Sequence, residues 1–250
     1  MTEDTFISHL IELRDRLLRA LVVFAVVLLA LIPFSAELYD LLATPMMSAL
    51  PEGSKMIATG VITPFLVPIK VAMMLAFVLT LPFTLYQAWS FIAPGLYNHE
   101  KRLVLPLVVA STLLFVIGIA FCYFFVFNTV FHFINQIAPK SISVAPDIEN
   151  YLNFVLTMFL AFGLTFETPI VVVMLTRMGL VSIEQLCEAR PYFIVIAFVI
   201  AAVVTPPDVV SQLLLAVPMC LLFEVGLIAA RFVPKRAAEG SDGYSPPTDA

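Results

Sequence analysis

The sequence predicts an all-α integral membrane protein with six transmembrane helices, and three observations predict it. Hydrophobic residues make up 61% of the 250-residue chain and charged residues 12%, against about 25% charged in soluble domains. Apolar stretches of helix length alternate with short polar connections. Basic residues are also sorted by connection. Arg14, Arg16, Arg19, Lys101, Arg102, Arg177, Arg190, Arg231, Lys235 and Arg236 fall on one side of a six-span chain, and Lys55, Lys70 and Lys140 on the other. That bias places both termini in the cytoplasm. The net charge of −5 is segregated by loop, and no stretch is basic enough to suggest nucleic acid.

The first span is expected at 17–34, behind a charged lead-in whose Phe6, Leu10, Leu13 and Leu17 recur on one helix face. Eighteen residues of helix reach about 27 Å, close to the roughly 30 Å of a bilayer core. No small-x-small cleavage pattern follows, so this span is expected to remain in the mature protein. Glu12–Arg16 and Asp15–Arg19 are spaced for helical ion pairs. Arg14 lies on the apolar side of the wheel without an acid at helical spacing, and is expected to reach a lipid headgroup or a distant partner. Residues 36–47 read as an amphipathic interfacial helix.

Further spans are expected at 68–91, 103–131, 151–176, 192–204 and 209–230. Pro94-Gly95 marks one turn and Thr205-Pro206-Pro207-Asp208 a tight hairpin. The fifth span, with thirteen residues, gives only about 20 Å of helix, so the fifth and sixth spans are expected to be short and the bundle curved and uneven. Pro82, Pro106, Pro169 and Pro218 should bend their helices. Residues 1–232 form the membrane domain, and the Gly- and Pro-containing tail 233–250 is expected to be disordered. Cys122, Cys187 and Cys220 suggest neither a disulfide framework nor a metal site.

Few residues could carry chemistry. Glu167 falls near the middle of the fourth span, where inserting an acid costs about 2.5–3.5 kcal/mol; it should face a partner, a cavity or water. Glu224 also lies inside a span, with Arg231 as its expected ion-pair partner. His9, His99 and His132 sit at loops or span ends, so no serine–histidine pair forms at depth, and no aspartyl dyad, phosphate loop or zinc motif is present. No catalytic residue and no cofactor is expected. Glu12 and Glu100 precede the first and third spans. On spacing alone they read as solvated acids paired with Arg16 and Lys101; brought together, they would suit a forked guanidinium better than an ammonium.

These residues, with His9-Leu10-Ile11-Glu12-Leu13-Arg14, Phe91 through Glu100, Phe166-Glu167-Thr168-Pro169, Arg190-Pro191-Tyr192, Thr205 through Asp208 and Leu222-Phe223-Glu224, resemble the TatC family, the receptor subunit of the twin-arginine protein translocase. The set covers about Phe6 to Arg231 in order. The resemblance implies a glove-shaped, six-span receptor in the bacterial cytoplasmic membrane that recognises twin-arginine signal peptides on folded cargo. It implies that Glu12 and Glu100 contact the signal's arginines, that Arg14 and Phe91 shape the same site, and that Glu167 serves a partner or translocation site within the membrane. Pro45, Asp208 and Glu224 are family-type positions without a clear role. The implied partners are the single-span subunits TatA and TatB, further copies of the chain and membrane lipid; the implied energy source is the proton-motive force. The competing reading is a proton-coupled small-solute carrier using Glu167. It expects several midplane polar groups and paired repeats, whereas midplane charge is sparse and no repeat is evident.

Overall fold

Helix α1 (Thr2–Leu31) carries the charged lead-in and the first apolar stretch as one continuous rod. The computed structural model describes residues 2–49, 56–92, 101–137, 146–205 and 208–232. Pro33 opens a short 3-10 turn, Ile32–Phe34, which hands the chain to α2 (Ser35–Ala49). Helix α3 (Thr63–Ile92) returns along α1 with Pro68 and Pro82 inside it. The third long segment comprises α4 (Lys101–Phe121), a π turn (Cys122–Val126) and α5 (Phe127–Ile137). Then come α6 (Ile148–Phe166), α7 (Thr168–Arg177), α8 (Ile183–Glu188), α9 (Arg190–Val204) and α10 (Val209–Phe232).

Among the described residues, five helical stretches are long and apolar enough to cross a membrane: Ile7–Thr44, Thr63–Phe91, Leu105–Ile134, Ile148–Arg177 and Val209–Phe232. The stretch expected as a short fifth span is the 15-residue apolar helix α9, shorter than those five. The sixth departs from expectation, because α10 has 24 residues and reaches about 36 Å. The apolar pattern placed its start well and understated its length. The tail 233–250 lies outside the described residues.

The core lies between the third and fourth long segments. Phe127, Phe131, Phe159 and Phe162 are buried there with Val126, Val155 and Met158, and Phe127 packs on Phe131 and Phe159 at centroid separations of 5.5 and 5.3 Å. Apolar burial does not drive helix association in lipid, so close backbone approach must contribute. Gly118 supplies it, because a Cβ there would meet the Phe162 carbonyl oxygen at 2.7 Å, while Gly163 leaves a notch for the Phe115 ring, which a Cβ would meet at 2.4–2.7 Å. Gly226 brings α10 against Pro169 and Val172 of α7 in the same way.

Two departures from regular helix have identifiable consequences. The π turn, centred on buried Cys122 and Val126, changes the phase of the third segment, as such bulges do. The second is chemical. Pro45 has no N–H, so α2 leaves the Leu41 carbonyl, four residues earlier, without its helical donor. The Tyr123 hydroxyl, from the π turn, donates to that carbonyl at 3.1 Å, and the Tyr151 hydroxyl donates to the Leu42 carbonyl at 2.9 Å. Pro45 thereby gains a physical role: it opens an acceptor through which α2 is pinned to the third segment. At this same end of the molecule, Lys70 bonds Glu149 and Asn153 at 3.1 and 3.3 Å, Thr63 donates to Glu149 at 3.1 Å, and Ile57 bridges the start of α6.

Tyr123→Phe is therefore expected to lower stability by about 1 kcal/mol. In a Pro45→Ala background the same change should cost less, because the alanine N–H then takes the Leu41 carbonyl. Thermal unfolding of the four proteins of this cycle in detergent checks the coupling.

Candidate functional site

Antiparallel pairing of α1 and α3 brings the start of one helix beside the end of the other. On α1, His9, Glu12 and Arg16 are spaced by three and four residues and share a face; on α3, Gln87 and Phe91 are four apart. The two faces meet. His9 stacks on Phe91 with ring centroids 4.1 Å apart and planes 15° apart. Arg16 donates to Glu12 Oε1 from both Nε (2.9 Å) and Nη2 (2.6 Å), and its Nη1 lies 3.4 Å from Gln87 Oε1. Trp89 Nε1 is buried at this end without a hydrogen-bond partner.

Of the residues singled out in the sequence, the structure brings Glu12 and Phe91 to one helix-helix corner. Glu100 lies outside the described residues. Arg14 corrects an expectation: it has a local acid after all, donating to Asp15 Oδ1 from Nε and Nη2 at 2.9 and 2.8 Å. Asp15 was expected to pair with Arg19. Adjacent helical residues diverge, but the long arginine side chain, 66% exposed, folds back far enough to reach. Such an exposed pair contributes little stability. The Glu12–Arg16 pair is as expected. Gln87 and Trp89 were missed; the signal available was a polar side chain four residues before Phe91 near the end of an apolar helix.

A second group lies at mid-span. Pro169 cannot donate to the Thr165 carbonyl, so the helix stops at Phe166 and resumes at Thr168, leaving Glu167 at the joint. The expected single helix 151–176 is thus two. The Glu167 N–H donates to the Leu164 carbonyl at 3.1 Å, and its own carbonyl accepts from Ile170 and Val171 at 3.0 Å. Backbone needs are met, but the side chain's are not. Ser111 of α4 faces the carboxyl, yet Glu167 Oε1 and Ser111 Oγ are both buried without a hydrogen-bond partner. Buried polar atoms are rarely orphaned. Ser111 is fully buried, so only the half-buried Glu167 side chain is open to a polar group from outside the chain.

The uncertain positions also resolve in part. Asp208 caps α10, its Oδ1 accepting from the Ser211 N–H at 2.7 Å, the usual service of an N-cap aspartate. Glu224 does not pair with Arg231. Arg190 donates to it at 2.8 Å, reaching across from the first turn of α9, whereas Arg231 lies two turns further along α10 and points its Nη2 toward Cys187 Sγ, 3.9 Å away. The stretch between Arg177 and Pro191, expected to be a connection, contains α8, begun by a reciprocal Ser182–Gln185 cap.

Fold and site together define a multi-pass membrane protein with a polar helix corner formed by α1 and α3 and a partly buried acid at the α6–α7 joint. Residues 8–218 match the family described as Sec-independent protein translocase protein (TatC). The chain is 49% identical over 235 residues to the Sec-independent protein translocase protein TatC of Haemophilus influenzae, covering 94% of this chain and 92% of that protein. It is 50% identical over 232 residues to its counterpart in Escherichia coli K12, covering 92% and 90%. A crystal structure of the twin-arginine translocase receptor TatC superposes with a TM-score of 0.79 at 37% identity, covering 89% of this chain and 98% of that one. The same receptor in dodecyl maltoside, abbreviated DDM, gives 0.80. The chain belongs to the TatC family of Sec-independent protein translocases.

If Glu167 were a structural acid, removing it would destabilise the fold. Its orphaned oxygen implies the opposite: Glu167→Leu should leave thermal stability unchanged or raise it by about 1 kcal/mol, since a desolvated, unpaired acceptor is lost. Unfolding midpoints in detergent check the sign.

Proposed function

We propose that this protein is the receptor core of a twin-arginine translocation system in a bacterial cytoplasmic membrane. The end carrying His9, Glu12 and Phe91 is the cytoplasmic one, both termini lie on that side, and six spans include the short α9. Arg14, Arg16, Arg19, Arg177, Arg190 and Arg231 belong to this end, while Lys70 lies near the other. The receptor binds the arginine pair of a signal peptide there, through Glu12 and Glu100, with Arg14 and Phe91 shaping the same surface. It acts by binding and assembly rather than by catalysis.

The observation that carries this reading is the meeting of the Glu12 and Phe91 faces, held by the His9–Phe91 stack, in a chain about half identical to named translocase proteins. A carboxylate at a helix corner near the headgroups suits a planar, forked cation. The unbonded Oε1 of half-buried Glu167 supports an intramembrane contact with a polar residue of a partner span, such as TatA or TatB, or of a further copy of the chain. Assembly around that joint then moves folded cargo, driven by the proton-motive force. The carrier reading gains no second free acid from Glu224, which pairs with Arg190 at 2.8 Å.

The purified protein should bind a twin-arginine signal peptide more tightly than its twin-lysine variant. Glu12→Gln and Glu100→Gln should each weaken the first by roughly five- to tenfold. Equal binding of both peptides, unaffected by either change, rejects the reading. Separately, Glu167→Gln should insert normally yet reduce export of a folded reporter, measured as the fraction that crosses the membrane; wild-type export would remove Glu167 from the mechanism.

A further inference from the structure

We propose that Arg16 is a resident competitor for the signal-binding site: its guanidinium occupies Glu12 in the unliganded protein and must be displaced before a guanidinium from outside can take that carboxylate. The inference rests on reading Glu12 as a ligand-binding acid.

The geometry is that of an occupied site. Arg16 places Nε and Nη2 on the same oxygen, Glu12 Oε1, so this acceptor already holds two charge-assisted bonds. The third nitrogen turns to Gln87 of α3, a side chain only 7% exposed, which anchors the guanidinium from the neighbouring helix. The Arg16 side chain is 21% exposed against 66% for Arg14. Arg16 is therefore held between two helices, whereas Arg14 is a solvated surface arginine. Glu12 Oε2 stays open, but with Arg16 on the carboxylate the pair carries no net charge, and a second cation, guanidinium or ammonium, meets the like charge of the first.

The consequence is quantitative. When only a fraction of the receptor has its acid free, the apparent Kd of every ligand rises by the inverse of that fraction. Competition of this kind weakens twin-arginine and twin-lysine ligands by the same factor and leaves their ratio untouched. An arginine that instead oriented Glu12 would alter the ratio. The resident arginine thus sets a threshold: a ligand offering an isolated cation falls below it, and one with further contacts along the surface exceeds it.

The test uses the full-length protein in nanodiscs and the two synthetic peptides. Arg16→Gln should tighten both peptides by a common factor, roughly two- to tenfold for a half-shielded pair, with Arg16→Lys intermediate. Arg19→Gln removes the same charge from an exposed position on the same helix and should leave both affinities near wild type. Tightening by Arg19→Gln to match Arg16→Gln would attribute the gain to bulk charge and overturn the proposal. So would unchanged or weaker binding by Arg16→Gln, or a change in the ratio of the two peptides. If wild type binds neither peptide better than a scrambled control, the receptor reading itself fails; if wild type binds and Arg16→Gln binds no tighter, only the competitor proposal fails. Monodisperse elution of each variant establishes that affinities are compared among folded proteins.

Discussion

Backbone groups in hydrocarbon have no water to turn to, so each hydrogen bond that a proline removes must be replaced or accommodated by other groups. Two of the informative places in this protein are solutions to that constraint. At Pro45 the freed Leu41 carbonyl is taken by the Tyr123 hydroxyl, and the exchange ties α2 to the third long segment. At Pro169 the ladder is interrupted, and the interruption places Glu167 at a joint. One proline yields a tether and the other a break in the helix that leaves an acid at the joint. In both cases the chemistry follows from a missing donor rather than from an added functional group.

The distribution of polar groups follows from the same solvent. Charged side chains gather at helix ends, where water and headgroups reach them. At one end Glu12, Arg16 and Gln87 interlock two helices; at the other Lys70, Glu149, Asn153 and Thr63 join α3 to α6. The Arg190–Glu224 pair fastens the start of the short α9 to the last turns of α10. The middle is left to aromatic packing, glycine-mediated contact and one acid.

Much of the architecture could be read from residues alone, because an apolar run of given length has few options in a bilayer. The long apolar helices, the brevity of α9, a helix over 36–47 and the partly buried acid Glu167 came from hydropathy and spacing. What escaped depended on side-chain reach or ladder phase. Asp15 chose Arg14 over Arg19 because a flexible arginine can fold onto its neighbour. Glu224 chose Arg190, 34 residues away in sequence, which local spacing does not reveal. The π turn over Cys122–Val126 carries no proline or glycine to announce it. At the site, Glu12 and Phe91 were identified through family resemblance, while Gln87 became visible only once α1 and α3 lay side by side.

The ring of Phe115 seated in the notch left by Gly163 has a mechanical consequence. A bulky knob in a slot without a side chain resists both sliding and rolling, since either motion drives ring carbons into main chain. The third and fourth segments therefore behave as a stator at that level. Among the described residues the first helix and the abbreviated α9 lack such a key, so the fold yields more readily at its rim than along its central wall.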